Sequence, residues 1–232
     1  HEAGEIDWHT RQRAHDAAGP DATKKEAAGA GGASAGTVKT FEAVVRARLS
    51  PVGEGLQVLV YAADQPDLFA RICGYFDRAG FSILDAKIHT TRNGRALDTF
   101  QIINPLVPDH NREFIGMVEA ELPAAVESQA PLAPPRLGRV SRRVKSFPIA
   151  PRVDLRPDDK AQRWLLTVTA SDRAGLLYSI ARVLAAHGIN LELAKVSTLG
   201  GGVEEMFLMK GAQLQHNKTQ LAIEQELLDV LE

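Results

Sequence analysis

Two short stretches hold the side chains best suited to recognising a small charged molecule: "DQPDLF", Asp64 to Phe69, and "DRAGLL", Asp172 to Leu177. Each stands between a β-rich apolar run and the start of a helical pattern. A helix N-terminus offers unpaired N–H groups and the positive end of a dipole, which together attract an anion. In the second stretch Arg173, Ala174, Gly175 and Leu176 occupy that position, and glycine permits close approach to the backbone. Asp172 adds an acceptor for an ammonium group. The pattern suits an anion that carries an ammonium group close by. The plainer reading makes Asp172 a helix cap, worth about 1 kcal/mol.

The first stretch departs from that pattern. Asp64, Gln65 and Pro66 match in position, and Pro66 suits the first helical residue. Asp67, however, stands where the other copy has glycine, and a second carboxylate opposes a bound one. Lys87 and Lys195, each following an alanine on a later strand, are candidates to support a ligand or an interface; the plainer reading is a solvent-facing strand lysine. Asp98 and Glu205, each two residues before a phenylalanine, are candidates for the same interface; the plainer reading is a surface carboxylate.

The two stretches belong to a repeat. An offset of 108 residues carries Asp64 onto Asp172, Leu68 onto Leu176, Ile72 onto Ile180, Phe76 onto Leu184, Gly80 onto Gly188 and Lys87 onto Lys195. A one-residue gap near Gly94 then aligns Asp98 with Glu205 and Phe100 with Phe207. Each copy reads strand, strand, helix, strand, strand, helix. The helical faces are Leu68, Phe69, Ile72, Cys73 and Phe76, then Leu176, Leu177, Ile180, Ala181 and Leu184. Gly80 and Gly188 suit left-handed caps at the helix ends. Second helices are expected from Asn111 to about Ser128 and from about Asn217 to Leu231.

In a ferredoxin-like sandwich the last strand lies antiparallel beside the first. Here the second copy ends on a helix, while an extra strand precedes each unit through a plain hairpin. That order predicts an α+β fold of two permuted ferredoxin-like sandwiches, each an antiparallel sheet with two helices on one face. The expected divisions are 1–40, the end of an upstream domain plus a flexible Gly/Ala-rich linker; 41–135, the first sandwich; and 136–232, the second.

Composition narrows the classes further. The net charge is −2, and the strands expected to be central offer only Phe100 and Phe207 for stacking, so a nucleic-acid surface is not expected. No apolar run reaches the roughly 20 residues of a membrane helix. Cys73 is the one cysteine, suits a reducing cytoplasm and falls on an apolar helix stripe, so it reads as core. The Gly-Ala-Gly-Gly run reads as linker, since no strand leads into it. His1, His9 and His15 lack the companions of a metal site, and "RRVK" at Arg142 reads as the solvated face of an edge strand. The chain begins without methionine, which suggests the tail of a longer protein.

The motifs "DQPDLF" and "DRAGLL" resemble the turn between first strand and first helix of ACT domains, small modules that bind amino acids. "DAKIHTTRNGRALDTFQI", "VTASDRAGLL", "VEEMFLM" and "EIDWHTR" resemble the C-terminal tandem ACT region of the bifunctional PII uridylyltransferase/uridylyl-removing enzymes, over nearly everything except Ala14 to Gly36. The resemblance implies a regulatory region that senses glutamine and controls uridylylation and deuridylylation of the PII nitrogen signal protein. It implies ligand binding at Asp172, Arg173, Ala174, Gly175 and Leu176, with Asp64, Gln65 and Pro66 in the first copy. It further implies a catalytic parent, using magnesium and UTP in upstream domains, and a region here that is itself non-catalytic, without cofactor, and cytoplasmic. An oligomerisation or interaction module without ligand is the alternative.

Overall fold

Alternation of apolar residues places the strands, and 3.6-residue spacing the helices. The computed structural model describes residues 42–91, 93–107, 110–136, 149–158, 163–199 and 202–231. The Gly/Ala-rich tract, the three N-terminal histidines and the "RRVK" segment lie outside the described residues. The first half consists of β1 (Val44–Leu49), β2 (Leu56–Ala63), α1 (Leu68–Ala79), β3 (Ser82–Lys87), β4 (Arg95–Ile103) and α2 (Asn111–Glu127). The second consists of β5 (Arg152–Asp158), β6 (Arg163–Ser171), α3 (Leu176–Ala186), β7 (Asn190–Leu199), β8 (Gly202–Lys210), a 3-10 turn at Ala212–Gln215, and α4 (Asn217–Leu231).

Each half forms one antiparallel sheet, ordered β1-β2-β4-β3 and β5-β6-β8-β7. This is the ferredoxin-like order with the leading hairpin strand standing where the final strand would be. The permuted tandem sandwich expected from the sequence is therefore the observed fold. Both halves also share an irregularity in register, between Ile83 and Asp85 and between Leu191 and Leu193.

The outer strand β1 leaves N–H groups unpaired on its free side, a common hazard of sheet edges. Helix α2 answers it: Glu127 accepts from the Ala43 N–H at 2.6 Å and Glu119 from the Ala47 N–H at 2.8 Å. Strand β5 is the other outer strand and carries Pro157, which has no N–H to leave unpaired.

Gly80 adopts φ +81° and Gly188 φ +63°. These left-handed turns let Phe81 N–H return to the Phe76 carbonyl and Ile189 N–H to that of Leu184. Strands β3 and β7 start directly after them. At the other end of α1 the first helical residue is Leu68, with Asp67 in the cap position. Pro66 thus lies in the preceding turn and not at the first helical position, because the turn closes through Leu68 N–H to the Gln65 carbonyl.

The halves meet through α1 against α3 and β3 beside β7. The helices approach at Gly74, where an added Cβ would stand 2.8 Å from the Tyr178 ring. Tyr178 is 1% exposed, and its hydroxyl donates to the Ala133 carbonyl at 2.7 Å. Gly74→Ala tests this packing. Helix propensity alone favours alanine by about 1 kcal/mol, whereas overpacking costs roughly 1–3 kcal/mol. Urea denaturation is expected to show net destabilisation; a more stable variant would mean the helices have room to spare.

Candidate functional site

The two halves place each signature turn beside the other half's inner strand. The turn of the second half opens onto a cleft of about 420 Å³, within the range of small-molecule sites. Asp172, Arg173, Ala174, Gly175 and Leu176 all line it, so the second set of candidate residues shares one cavity. The first half contributes Cys73, Asp77, Phe81, Ser82, Ile83 and Pro105, while Val203 and Glu205 come from β8. Asp64, Gln65 and Pro66 line a separate cavity of about 10 Å³, space for scarcely one water. Lys87 and Lys195 are exposed and lie outside both cavities.

Local bonding assigns the turn residues different duties. Gly175 holds φ +75° at the cap position of α3, and no side chain caps that helix among the described residues. Asp172 is therefore not observed as the cap that the plainer reading proposed. Its carboxyl is pushed up by partial desolvation, although the residue reaches solvent. Arg173 directs its guanidinium to the Val230 carbonyl at the end of α4, where a helix presents unpaired acceptors; burial lowers its pKa. Gln65 does the equivalent in the first half, donating to the Val126 carbonyl at 3.2 Å. The second residue of each turn thus fastens it to the half's second helix. Asp67 pairs with Arg71 at 2.6 Å.

The main correction concerns Asp98 and Glu205. Both are 1% exposed and are not surface carboxylates. On β4, Asp98 shares the core-facing alternation with Ala96, Phe100 and Ile102; on β8, Glu205 shares it with Val203, Phe207 and Met209. Burial pushes Asp98 to about 8, with Asp64 adding to the rise and the His89 N–H opposing it. Burial also pushes Glu205 to about 8, and Asp172 adds to the rise. Glu205 Oε2 has no hydrogen-bond partner among the described residues. A buried carboxyl oxygen without a protein partner on the wall of a cleft leaves hydrogen-bonding capacity that a ligand can satisfy.

The rest of the acidic wall comes from α1. Asp77 accepts the Arg136 N–H at 2.8 Å, and an added Cβ on Gly175 would stand 3.1 Å from its other oxygen. The Cys73 thiol is pushed well up, first by burial and then by Glu205, Asp98 and Asp77, which leaves it inert. That accords with its core reading. Among the described residues no cluster of three or more metal-ligating side chains occurs, and no helix is long and apolar enough to cross a membrane.

Why the twin cavities differ follows from two pairs of equivalent residues. Phe69 fills the first, stacked on Phe100 at 6.2 Å and edge-on to Phe207 at 6.3 Å, where the second has Leu177. Asn190 enters the first and donates to Asp64 Oδ2 at 3.0 Å, where the second has Ser82. The repeat alignment contains both pairs, yet only the assembled halves show that each reaches across to the opposite turn.

The ACT domain family matches residues 164–215. The chain is 57% identical over 199 residues to the bifunctional uridylyltransferase/uridylyl-removing enzyme of Ralstonia nicotianae, covering 84% of this chain and 23% of that protein. It is 57% identical over 189 residues to the enzyme of the same name from Cupriavidus metallidurans, covering 81% and 22%. The chain thus spans under a quarter of the length of these relatives. Among solved structures, aspartate kinase from Synechocystis aligns over 76% of this chain and 27% of its own, at 15% identity and a TM-score of 0.43.

The buried acids have a measurable consequence. In the folded chain Glu205 keeps its proton until about pH 8, while the unfolded chain releases it near the ordinary value of 4.5. The unfolded state therefore binds fewer protons between those limits, and stability falls as pH rises through that window. Asp98 acts in the same direction. Facing Glu205 are Asp172 from the turn and Cys73 from α1, with Asp77 and Arg173 on the same cleft. Glu205→Gln is expected to reduce the slope by up to about 1.4 kcal/mol per pH unit. Urea denaturation from pH 5 to 8 checks it; a slope equal to the parent's would remove Glu205 as the cause.

Proposed function

We propose that this chain, a close match to a region of the bifunctional uridylyltransferase/uridylyl-removing enzymes that carries paired ACT folds, is their amino-acid-sensing part. The carrying observation is the cleft at the second turn, whose wall holds Glu205 with its Oε2 unpartnered among the described residues. Glu205 and Asp172 make one end acidic and suit N–H-bearing groups. The N-terminus of α3, which no side chain caps among the described residues, offers backbone N–H groups that suit a carboxylate. A zwitterionic amino acid satisfies both ends; an inorganic anion satisfies only one.

Glutamine is the ligand that the family resemblance supplies. In the parent enzyme it would favour deuridylylation of PII when abundant and uridylylation when scarce. Such control requires different affinities for glutamine in two conformations of the whole enzyme, a coupling of typically 1–3 kcal/mol. A ligand in this cleft would touch both halves, since α1, β3, the second turn and β8 line it. The contact of α1 with α3 is therefore the element whose geometry glutamine can bias. Magnesium and UTP would serve catalytic domains outside this chain, and this region would itself perform no chemistry.

Isothermal titration of glutamine into the 232-residue chain tests the reading. A saturable heat is expected, lost on Glu205→Gln in a chain that still unfolds cooperatively. Absence of any heat at about millimolar ligand, where binding energy is only about 4 kcal/mol, would sink the proposal.

A further inference from the structure

The second sheet has two faces of unlike character. Trp164, Leu166, Val168 and Ala170 of β6 are buried in the core, as are Val203, Phe207 and Met209 of β8. Alternation sends the residues between them to the other side, where the ladder aligns them in rows across the sheet. One row is Arg156, Leu165, Leu208 and Leu193; the next is Asp154, Thr167, Met206 and Lys195. Arg152, Thr169 and Glu204 begin a third. This face stays open: Leu193 is 49% exposed, and Asp154, Arg156, Lys195 and Glu204 are exposed as well.

The repeat supplies a comparison within the chain. In the first sheet the equivalent of the three-leucine row is Arg48, Gln57, Gln101 and Asp85, with Arg48 Nε donating to Gln57 Oε1 at 2.7 Å. Arg46 stands where the second sheet has Asp154, in one row with Lys87. The leucines this face does carry, Leu59 and Leu97, are only 1% and 9% exposed. The second sheet instead presents an open apolar row beside a row with opposite charges at its two ends.

We propose that this face pairs with the same face of a second copy of the chain, about a twofold axis parallel to the strands. An axis between β6 and β8 sets β5 of one protomer over β7 of its partner and β6 over β8, in the aligned manner of stacked sheets. Leu165 then meets the partner's Leu208, and Asp154 meets the partner's Lys195, each contact occurring twice. Arg156 lays its aliphatic stem on the partner's Leu193 and keeps its charge in water. Within one chain Asp154 has Arg156 at 3.8 Å, a contact between largely exposed side chains that is worth little. The same operation on the first sheet would set Arg46 on Lys87, like on like, so the pairing belongs to the second. Three rows about 7 Å apart, on four strands about 4.8 Å apart, cover roughly 20 by 20 Å. That is the low end of specific interfaces, and it suits a dissociation constant in the micromolar range. The paired face is the side of β8 opposite Glu205, so the cleft stays open in the dimer and the inference stands apart from amino-acid sensing.

Sedimentation equilibrium of the 232-residue chain, from about 1 µM to about 500 µM, is expected to show monomer and dimer exchanging. Asp154→Lys and Lys195→Asp are each expected to weaken the dimer at least tenfold. Their combination restores opposite charges across the axis and is expected to recover most of the loss. The two substitutions move the net charge of −2 in opposite directions, so a general charge effect would weaken one variant and strengthen the other. Both positions are exposed, and cooperative urea unfolding checks the fold of each variant. A chain that stays single at every concentration would overturn the proposal. So would a dimer indifferent to both single substitutions, or one that the double exchange fails to restore.

Discussion

The close approach of α1 to α3 at Gly74 is the constraint on which the arrangement depends. Each half covers one sheet face with its own two helices, but each signature turn is completed only by the opposite half's inner strand. The missing Cβ at Gly74 admits the Tyr178 ring, and the Tyr178 hydroxyl fixes the segment at Ala133 that runs across both helices. Wider separation would draw β3 away from the second turn and β7 away from the first. The cleft and its closed twin are products of this one contact.

The two buried acids show how an energetic liability and a binding feature coincide. Placing an ionisable carboxyl on the core face of a sheet is costly unless it is neutral or partnered. Asp98 accepts the His89 N–H, and above it Asp64 takes an amide from Asn190. Glu205 is one methylene longer, lines the open cavity and leaves an oxygen without a partner among the described residues. A ligand that brings a cationic donor completes what the chain leaves undone, and lets the carboxyl ionise where burial alone holds it neutral.

Much of the architecture is legible in the sequence. The repeat from Asp64 and Asp172 onward, the turn glycines Gly80 and Gly188, and the extra hairpin strand before each unit point to the permuted topology, because these are local signals. The site is legible only in outline. Alternation does place Asp98 in register with Phe100 and Glu205 in register with Phe207, but charged residues are so rarely buried that the surface reading prevailed. The significance of Ser82 and Asn190 is not local at all. Both look like ordinary first residues of strands, and their effect arises between segments more than a hundred residues apart in the chain, as the bond from Asn190 to Asp64 shows. Arg173 misleads in another way: proximity to a helix N-terminus suggests a ligand contact, while its guanidinium is already engaged by the Val230 carbonyl.

The outward rims of the two sheets carry a last consequence. Glutamates of α2 occupy the free donors at Ala43 and Ala47, and Pro157 removes one from the opposite rim. A chain with 44% apolar residues and eight strands among the described residues presents edge strands of the kind that template cross-β stacking when left bare. The two outer rims are thus blunted by different means, a pair of helix carboxylates on one and a proline on the other.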